Sequence, residues 1–336
     1  MDRTQKLINA GEDAVDEMLA GVLAAHPRHL TRPEGVPRAI IANDGPREGK
    51  VALLIGGGSG HEPTFLGFVG RGLADAAAIG NVFASPPPQP IIDAAKAVDG
   101  GAGVLFMYGN YAGDVMNFDM AAEMLELEGI EARTVITTDD IASAPRDRRE
   151  TRRGVAGNVF IFKAAGAAAD LGYPLDEVER IARLANARTY TMGVALSACS
   201  LPHTRRPNFD LPVGEMEIGM GIHGEPGVRR GPLQTANDVV DEIMDAILAE
   251  MGAASGDEVA VLVNSLGSTP LMELYILNAR LSERLAQAGL IVRTALVGPY
   301  CTSLEMAGAS ITVMHLDDEL NRLIDHPCDC AMFRVG

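Results

Sequence analysis

Three short stretches of this 336-residue chain set a protic side chain among glycines. They are IGGGSGHEPT (55–64) with His61, GNYAGDVMNF (109–118) with Asp114, and GMGIHGEPG (219–227) with His223. A neutral imidazole is both a base and a nucleophile near cellular pH, and a carboxylate can take the proton of a hydroxyl. Taken alone, the first loop is best explained as a tight turn closed by a satisfied histidine at its rim. Asp114 alone reads as an N-cap, the commonest use of Asp before an apolar helical run. His223 is harder to dismiss, because a histidine between glycines and Ile222 suits neither a cap nor a core. Together the three loops point to a pocket for something small, polar and neutral.

Familiar glycine loops do not fit. A Walker loop needs Gly-Lys-Ser/Thr opening the helix, and none occurs here. The dinucleotide fingerprint fails because the glycines fall at 56, 57, 58 and 60, and the residue after them is His61. A nucleophile elbow would need glycine two residues beyond Ser59, where His61 stands instead.

The elements that must position these loops alternate. VALLIG (51–56), GVLFMYG (103–109) and ARTVIT (132–137) read as buried strands. Between them, residues 114–129 carry Val115, Phe118, Met120, Ala121, Met124 and Leu125 at helical spacing, stopped by Gly129. Helices follow at 157–172 and 175–187, then strands at 190–198 and 215–224 around a Pro- and Arg-containing loop. A helix (236–251), a strand (258–264), a helix (270–287), a strand (290–297) and a strand–helix pair (310–325) complete the chain. SPPPQP (85–90) reads as a stiff turn. The expected class is α/β with two α/β domains: residues 1–186, a largely parallel sheet flanked by helices, and a smaller 187–336 carrying His223.

Composition narrows the function. A net charge of −17 excludes general electrostatic binding to nucleic acid or an acidic membrane. No stretch approaches the roughly 20 apolar residues of a membrane helix, and the N-terminus lacks a signal-peptide pattern. Cys199, Cys301, Cys328 and Cys330 are too scattered for a disulfide framework. The pair at 328 and 330 has no partner at zinc spacing, so no metal is expected and the pair reads as tail chemistry of no consequence. His26, His29, His203, His315 and His326 lie outside the motif loops. Arg205 and Arg206 read as a solvated loop, and the expected location is the cytoplasm.

The motifs GGGSGHEP, GNYAGDVMNF and GMGIHGEPG, in this order, resemble those of the dihydroxyacetone-binding subunit of the dihydroxyacetone kinases, DhaK. FASPPP, RRGVAGNVFIFKAAGAAA, ALSAC, LVNSLGSTPLMELY and YCTSLEMAGASIT fit the same family, so the resemblance covers essentially the whole chain. It implies that His223 forms a covalent hemiaminal with a ketone carbon. It also implies that His61 and Asp114 bond the substrate's hydroxyls and move protons, and that backbone of Gly58, Ser59 and Gly60 lines the pocket. A homodimer is implied too. The nucleotide is expected on a separate helical DhaL-type subunit: ATP with magnesium, or ADP rephosphorylated from phosphoenolpyruvate. No cofactor is then expected on this chain, which would be a stand-alone subunit ending near Gly336.

One departure bears on the substrate. Where family members using dihydroxyacetone carry a substrate-contacting lysine, five positions before the pocket Asp, this chain has Gly109. The loss is expected to remove a donor and open volume beside a terminal hydroxyl. Dihydroxyacetone therefore competes with a longer ketose such as erythrulose. A dihydroxyacetone-sensing transcriptional coactivator without kinase activity is the alternative from another class.

Overall fold

The computed structural model describes residues 4–336. The first half runs α1 (Ala14–Ala25), β1 (Leu30–Thr31), β2 (Ala39–Ala42), β3 (Ala52–Ser59), β4 (Gly70–Arg71), β5 (Ala76–Val82) and α2 (Pro88–Val98). β6 (Val104–Gly109), α3 (Ala112–Leu127), β7 (Ala132–Thr137), α4 (Asn158–Asp170) and α5 (Leu175–Ala187) follow. The second half runs β8 (Thr189–Ala195), β9 (Glu215–Ile218), β10 (Arg229–Pro232), α6 (Ala236–Met251), β11 (Glu258–Ser265) and α7 (Leu271–Gln287). It closes with β12 (Ile291–Gly298), β13 (Gly308–Leu316), α8 (Asp318–Asp325), β14 (Cys328–Cys330) and β15 (Arg334–Val335).

The first six-stranded sheet has the order β1-β2-β5-β3-β6-β7. Its β5-β3, β3-β6 and β6-β7 pairs are parallel, and its β1-β2 and β2-β5 pairs antiparallel. Every residue of β3 and β6 is buried, which is why both strands are apolar or glycine up to Ser59, the last residue of β3. On one face, Ile91 of α2 and Phe118 of α3 join Phe106 of β6 in one core cluster. On the other, Phe160, Phe162 and Val178 of α4 and α5 cover the sheet. The second sheet, β10-β9-β8-β13-β11-β12, is antiparallel except for β11-β12. Both sheets are helix-covered, so the α/β class stands, with the parallel character concentrated in the first.

Three local expectations change. The strand read over 215–224 ends at Ile218, and residues 219–224 form turns. α3 turns Phe118, Ala121 and Leu125 inward, with Phe118 edge-on to Phe106 at 5.4 Å. That choice sends Met116, Met120 and Met124 to the solvent face, although Met120 and Met124 fit the apolar period. Nor is the cysteine pair idle tail: it forms β14, which hydrogen-bonds to β4 and β15, and both thiols are buried.

The strands divide between Thr137 and Thr189, but the packing does not divide so simply. β14 returns to β4 from the far end of the chain, and α8 packs on α4. One core cluster joins Leu53, Phe162, Met220 and Met314. Among the described residues no helix is long and apolar enough to cross a membrane.

α4 is the central pillar, buried at every residue from Asn158 to Ala169. Such a helix must be thin. A Cβ at Gly166 would lie 2.5 Å from both Cα and O of Leu73, so backbone meets backbone there. Gly166→Ala should therefore destabilise by about 1–3 kcal/mol through overpacking, although alanine is the better helix former by about 1 kcal/mol. Urea unfolding of the two proteins reads the sign.

Candidate active site

His61 follows β3 and Asp114 lies in the first turn after β6, so the C-terminal ends of two adjacent parallel strands deliver them side by side. This is where open α/β sheets hold ligands. His223 comes from the turn after β9 in the second sheet. A pocket of about 320 Å³ gathers His61, Asp114 and His223 with Gly57, Gly58, Gly109, Tyr111 and Asn158. Ser59 and Gly60, expected beside them, are not among its lining. The Ser59 hydroxyl donates to Gly80 O at 2.8 Å, and the Gly60 N–H donates to the Glu62 carboxylate at 3.0 Å.

The two histidines touch. His61 Nε2 and His223 Nε2 are 2.9 Å apart. Their outer nitrogens are committed: His61 Nδ1 donates to Thr302 O at 2.7 Å, and His223 Nδ1 donates to Glu225 Oε1 at 3.0 Å. A carbonyl and a carboxylate only accept, so both Nδ1 atoms carry their protons and both inner Nε2 atoms present lone pairs. Two lone pairs at that distance need a proton between them. Burial holds His61 down to about 3, helped by the charge of His223 and opposed by Thr302 and Glu225. Burial alone would raise Glu225, but the hydrogen bond and charge of His223 outweigh it and bring that carboxyl to about 2.

Second-sheet loops enforce the contact. Leu304 N donates to Gly60 O at 2.7 Å, and the Ser303 hydroxyl donates to Ile222 O at 2.5 Å. Asn208 Nδ2 donates to His223 O at 2.9 Å. Arg153, clamped by Asp140 at 2.8 Å, comes within 3.9 Å of Glu225. The glycine before Ile222 has a steric reason. A Cβ at Gly221 would lie 2.2 Å from Glu225 Oε2 and 2.5 Å from Arg153 Nη1.

His61 is not at a rim: only 3% of it is exposed. Phe83 stacks on it at 5.0 Å and 16°, and stands edge-on to His223. Tyr111 meets the His223 ring edge-on at 4.6 Å. Asp114 is no N-cap; Tyr111 holds that position, with no side-chain capping bond. Asp114 is 93% buried, Oδ1 has no hydrogen-bond partner, and burial pushes its pKa up to about 6 against Ser85 and the charge of His223. Nor is there open space beside Gly109. A Cβ there would lie 2.9 Å from the Tyr111 ring and 3.0 Å from Gly154 O, because Tyr111 fills that side. Glu225, Phe83, Tyr111, Arg153 and Asn158 escaped sequence reading. Glu225 and Tyr111 had a visible signal, their places in the same short motifs as His223 and Asp114.

A carboxyl whose folded pKa lies above its unfolded value weakens the fold as pH rises through that interval. Asp114→Asn should therefore raise stability at pH 8 by about 3 kcal/mol, and by less at pH 5. Thermal melts at the two pH values give the comparison.

Comparison with known proteins adds a family. The Dak1 domain matches residues 20–332. The chain is 51% identical over 331 residues to the dihydroxyacetone-binding subunit DhaK of PTS-dependent dihydroxyacetone kinase 2 from Listeria innocua, covering 98% of this chain and 99% of that one. It is 43% identical over 334 residues to L-erythrulose kinase of Pectobacterium atrosepticum, covering 98% of this chain but 56% of that protein. Among solved structures, the dihydroxyacetone kinase of C. freundii in complex with AMP-PNP and Mg2+ superposes with a TM-score of 0.88 at 34% identity, covering 99% of this chain and 61% of that one. The dihydroxyacetone kinase operon co-activator Dha-DhaQ superposes with a TM-score of 0.87 at 33% identity, covering 94% and 97%.

Proposed function

This chain belongs to the Dak1 domain family, and from that premise we propose that it is the substrate-binding subunit of a dihydroxyacetone kinase. The observation that carries the reading is the 2.9 Å contact between His61 and His223, set against the unpartnered carboxylate of Asp114. In the capture step, the proton between the rings passes to His61 and His223 Nε2 attacks the ketone carbon. The carbonyl π pair moves onto oxygen, which takes that proton from His61. The product is a hemiaminal whose N-substituted imidazolium is balanced by Glu225. Polyols offer no electrophilic carbon and are left out, which matters for a ligand too small to bind tightly by contacts alone. The anchored terminal hydroxyl then gives its proton to Asp114 as its oxygen attacks the phosphoryl donor.

The donor is carried by a DhaL-type partner holding ATP and Mg2+, or ADP recharged from phosphoenolpyruvate. The C. freundii dihydroxyacetone kinase, solved in complex with AMP-PNP and Mg2+, is longer than this chain, which covers 61% of it. We further infer a homodimer, at work in the cytoplasm, where four free cysteines stay reduced. A four-carbon ketose is the second reading, supported by the erythrulose kinase relative. The room expected beside Gly109 does not favour it, since Tyr111 occupies that side.

His223→Ala should abolish the ketone adduct seen by native mass spectrometry and reduce phosphotransfer at least about 1,000-fold. Turnover with the DhaL-type partner should rise with pH through about 6 as Asp114 ionises. A coactivator without kinase activity would form the adduct but give no phosphorylated product with either donor. An undiminished adduct in His223→Ala would falsify the mechanism.

A further inference from the structure

Among the described residues, six buried side-chain polar atoms have no hydrogen-bond partner, and two of them belong to residues lining the pocket. One is Asp114 Oδ1, already placed against the phosphorylated hydroxyl. The other is Oδ1 of Asn158. Asn158 is 98% buried and opens α4, which is buried at every residue through Ala169. An amide oxygen stripped of water and left unpaired costs about 1–3 kcal/mol. Evolution of a core helix would readily supply an apolar residue at such a place, unless something pairs with it some of the time.

No structural duty explains the amide. The N-cap of α4 is Gly157, not Asn158. The amides of the turn entering the helix are taken by Asp139: Val155 N donates to Oδ1 at 2.9 Å, and Gly157 N to Oδ2 at 2.8 Å. The Asn158 N–H itself donates to Val155 O at 3.1 Å. What remains is a side-chain amide facing the same cavity as His61, Asp114 and His223.

We propose that Asn158 binds a second hydroxyl of the ketose, the one not phosphorylated, and so makes the site select ketones with hydroxyls on both sides of the carbonyl. This deepens the kinase reading and rests on it. The ligand is then held at three points: its carbonyl carbon on His223, one hydroxyl at Asp114 and the other at the Asn158 amide. A site built to pair a hydroxyl rejects the analogue lacking it, because its own polar group is then left bare.

The test compares dihydroxyacetone with hydroxyacetone, which keeps the carbonyl and one hydroxyl but lacks the other. Adduct formation by both is titrated on the full chain, in the wild type, Asn158→Leu and Asn158→Ala. The wild type should prefer dihydroxyacetone by about 10- to 100-fold, and both variants should narrow that ratio to about threefold or less. The ligand-free melting temperature of Asn158→Leu should not fall, since no internal hydrogen bond is lost; Asn158→Ala guards against a leucine that does not fit. An unchanged ratio in the folded variants overturns the proposal, as does a wild type that binds both ketones equally. Loss of both adducts in His223→Ala tests the covalent reading separately. Failure of that reading would leave wild type and His223→Ala alike, whatever Asn158 does.

Discussion

Two imidazoles 2.9 Å apart, each pinned from outside by an acceptor, form the contact on which the rest of this structure depends. One acceptor is distant in sequence and the other local. His61 is fixed by a carbonyl from the loop after β12, and His223 by a carboxylate two residues along its own turn. The contact spans the two sheets, so the fold must hold them in register to a fraction of an ångström. Buried α4 and the loop 302–304 meet that requirement from both sides. The cost is borne locally, by a histidine forced neutral and a carboxyl kept from water. Strain of this kind belongs at sites that do chemistry.

The same geometry divides labour between nearly identical groups. Two histidines share a pocket, yet one is buried against a carbonyl and the other leans on a carboxylate, so the two rings meet different electrostatic surroundings. Two acids differ in the same way. Glu225 receives hydrogen bonds and stays ionised, whereas Asp114 is desolvated with a bare oxygen. Environment, not residue type, assigns the roles.

Much of this was legible in the sequence because glycine, apolar runs and chemistry-bearing residues leave local traces. His61, Asp114 and His223 stood out from their neighbours, and buried strands such as VALLIG were apolar enough to recognise. What stayed hidden depends on the far end of a contact. SPPPQP looked like a stiff turn, and only the fold turns Phe83, two residues before it, onto His61. Asn158 sits between Gly157 and a run of apolar residues and looks like part of a packing helix until the cavity at its tip is seen. Met120 and Met124 matched a helical period that Phe118 and Leu125 had already claimed. The strand directions of the second sheet follow from pairings far apart in sequence, which a periodicity of two cannot reveal.

The small sheet at the chain's end has a mechanical consequence. By laying β14 along β4, the polypeptide crosses from the first sheet to the second and back again, so the two halves are tethered by a pair of struts rather than one hinge. A wide jaw-like swing would have to peel that strand away.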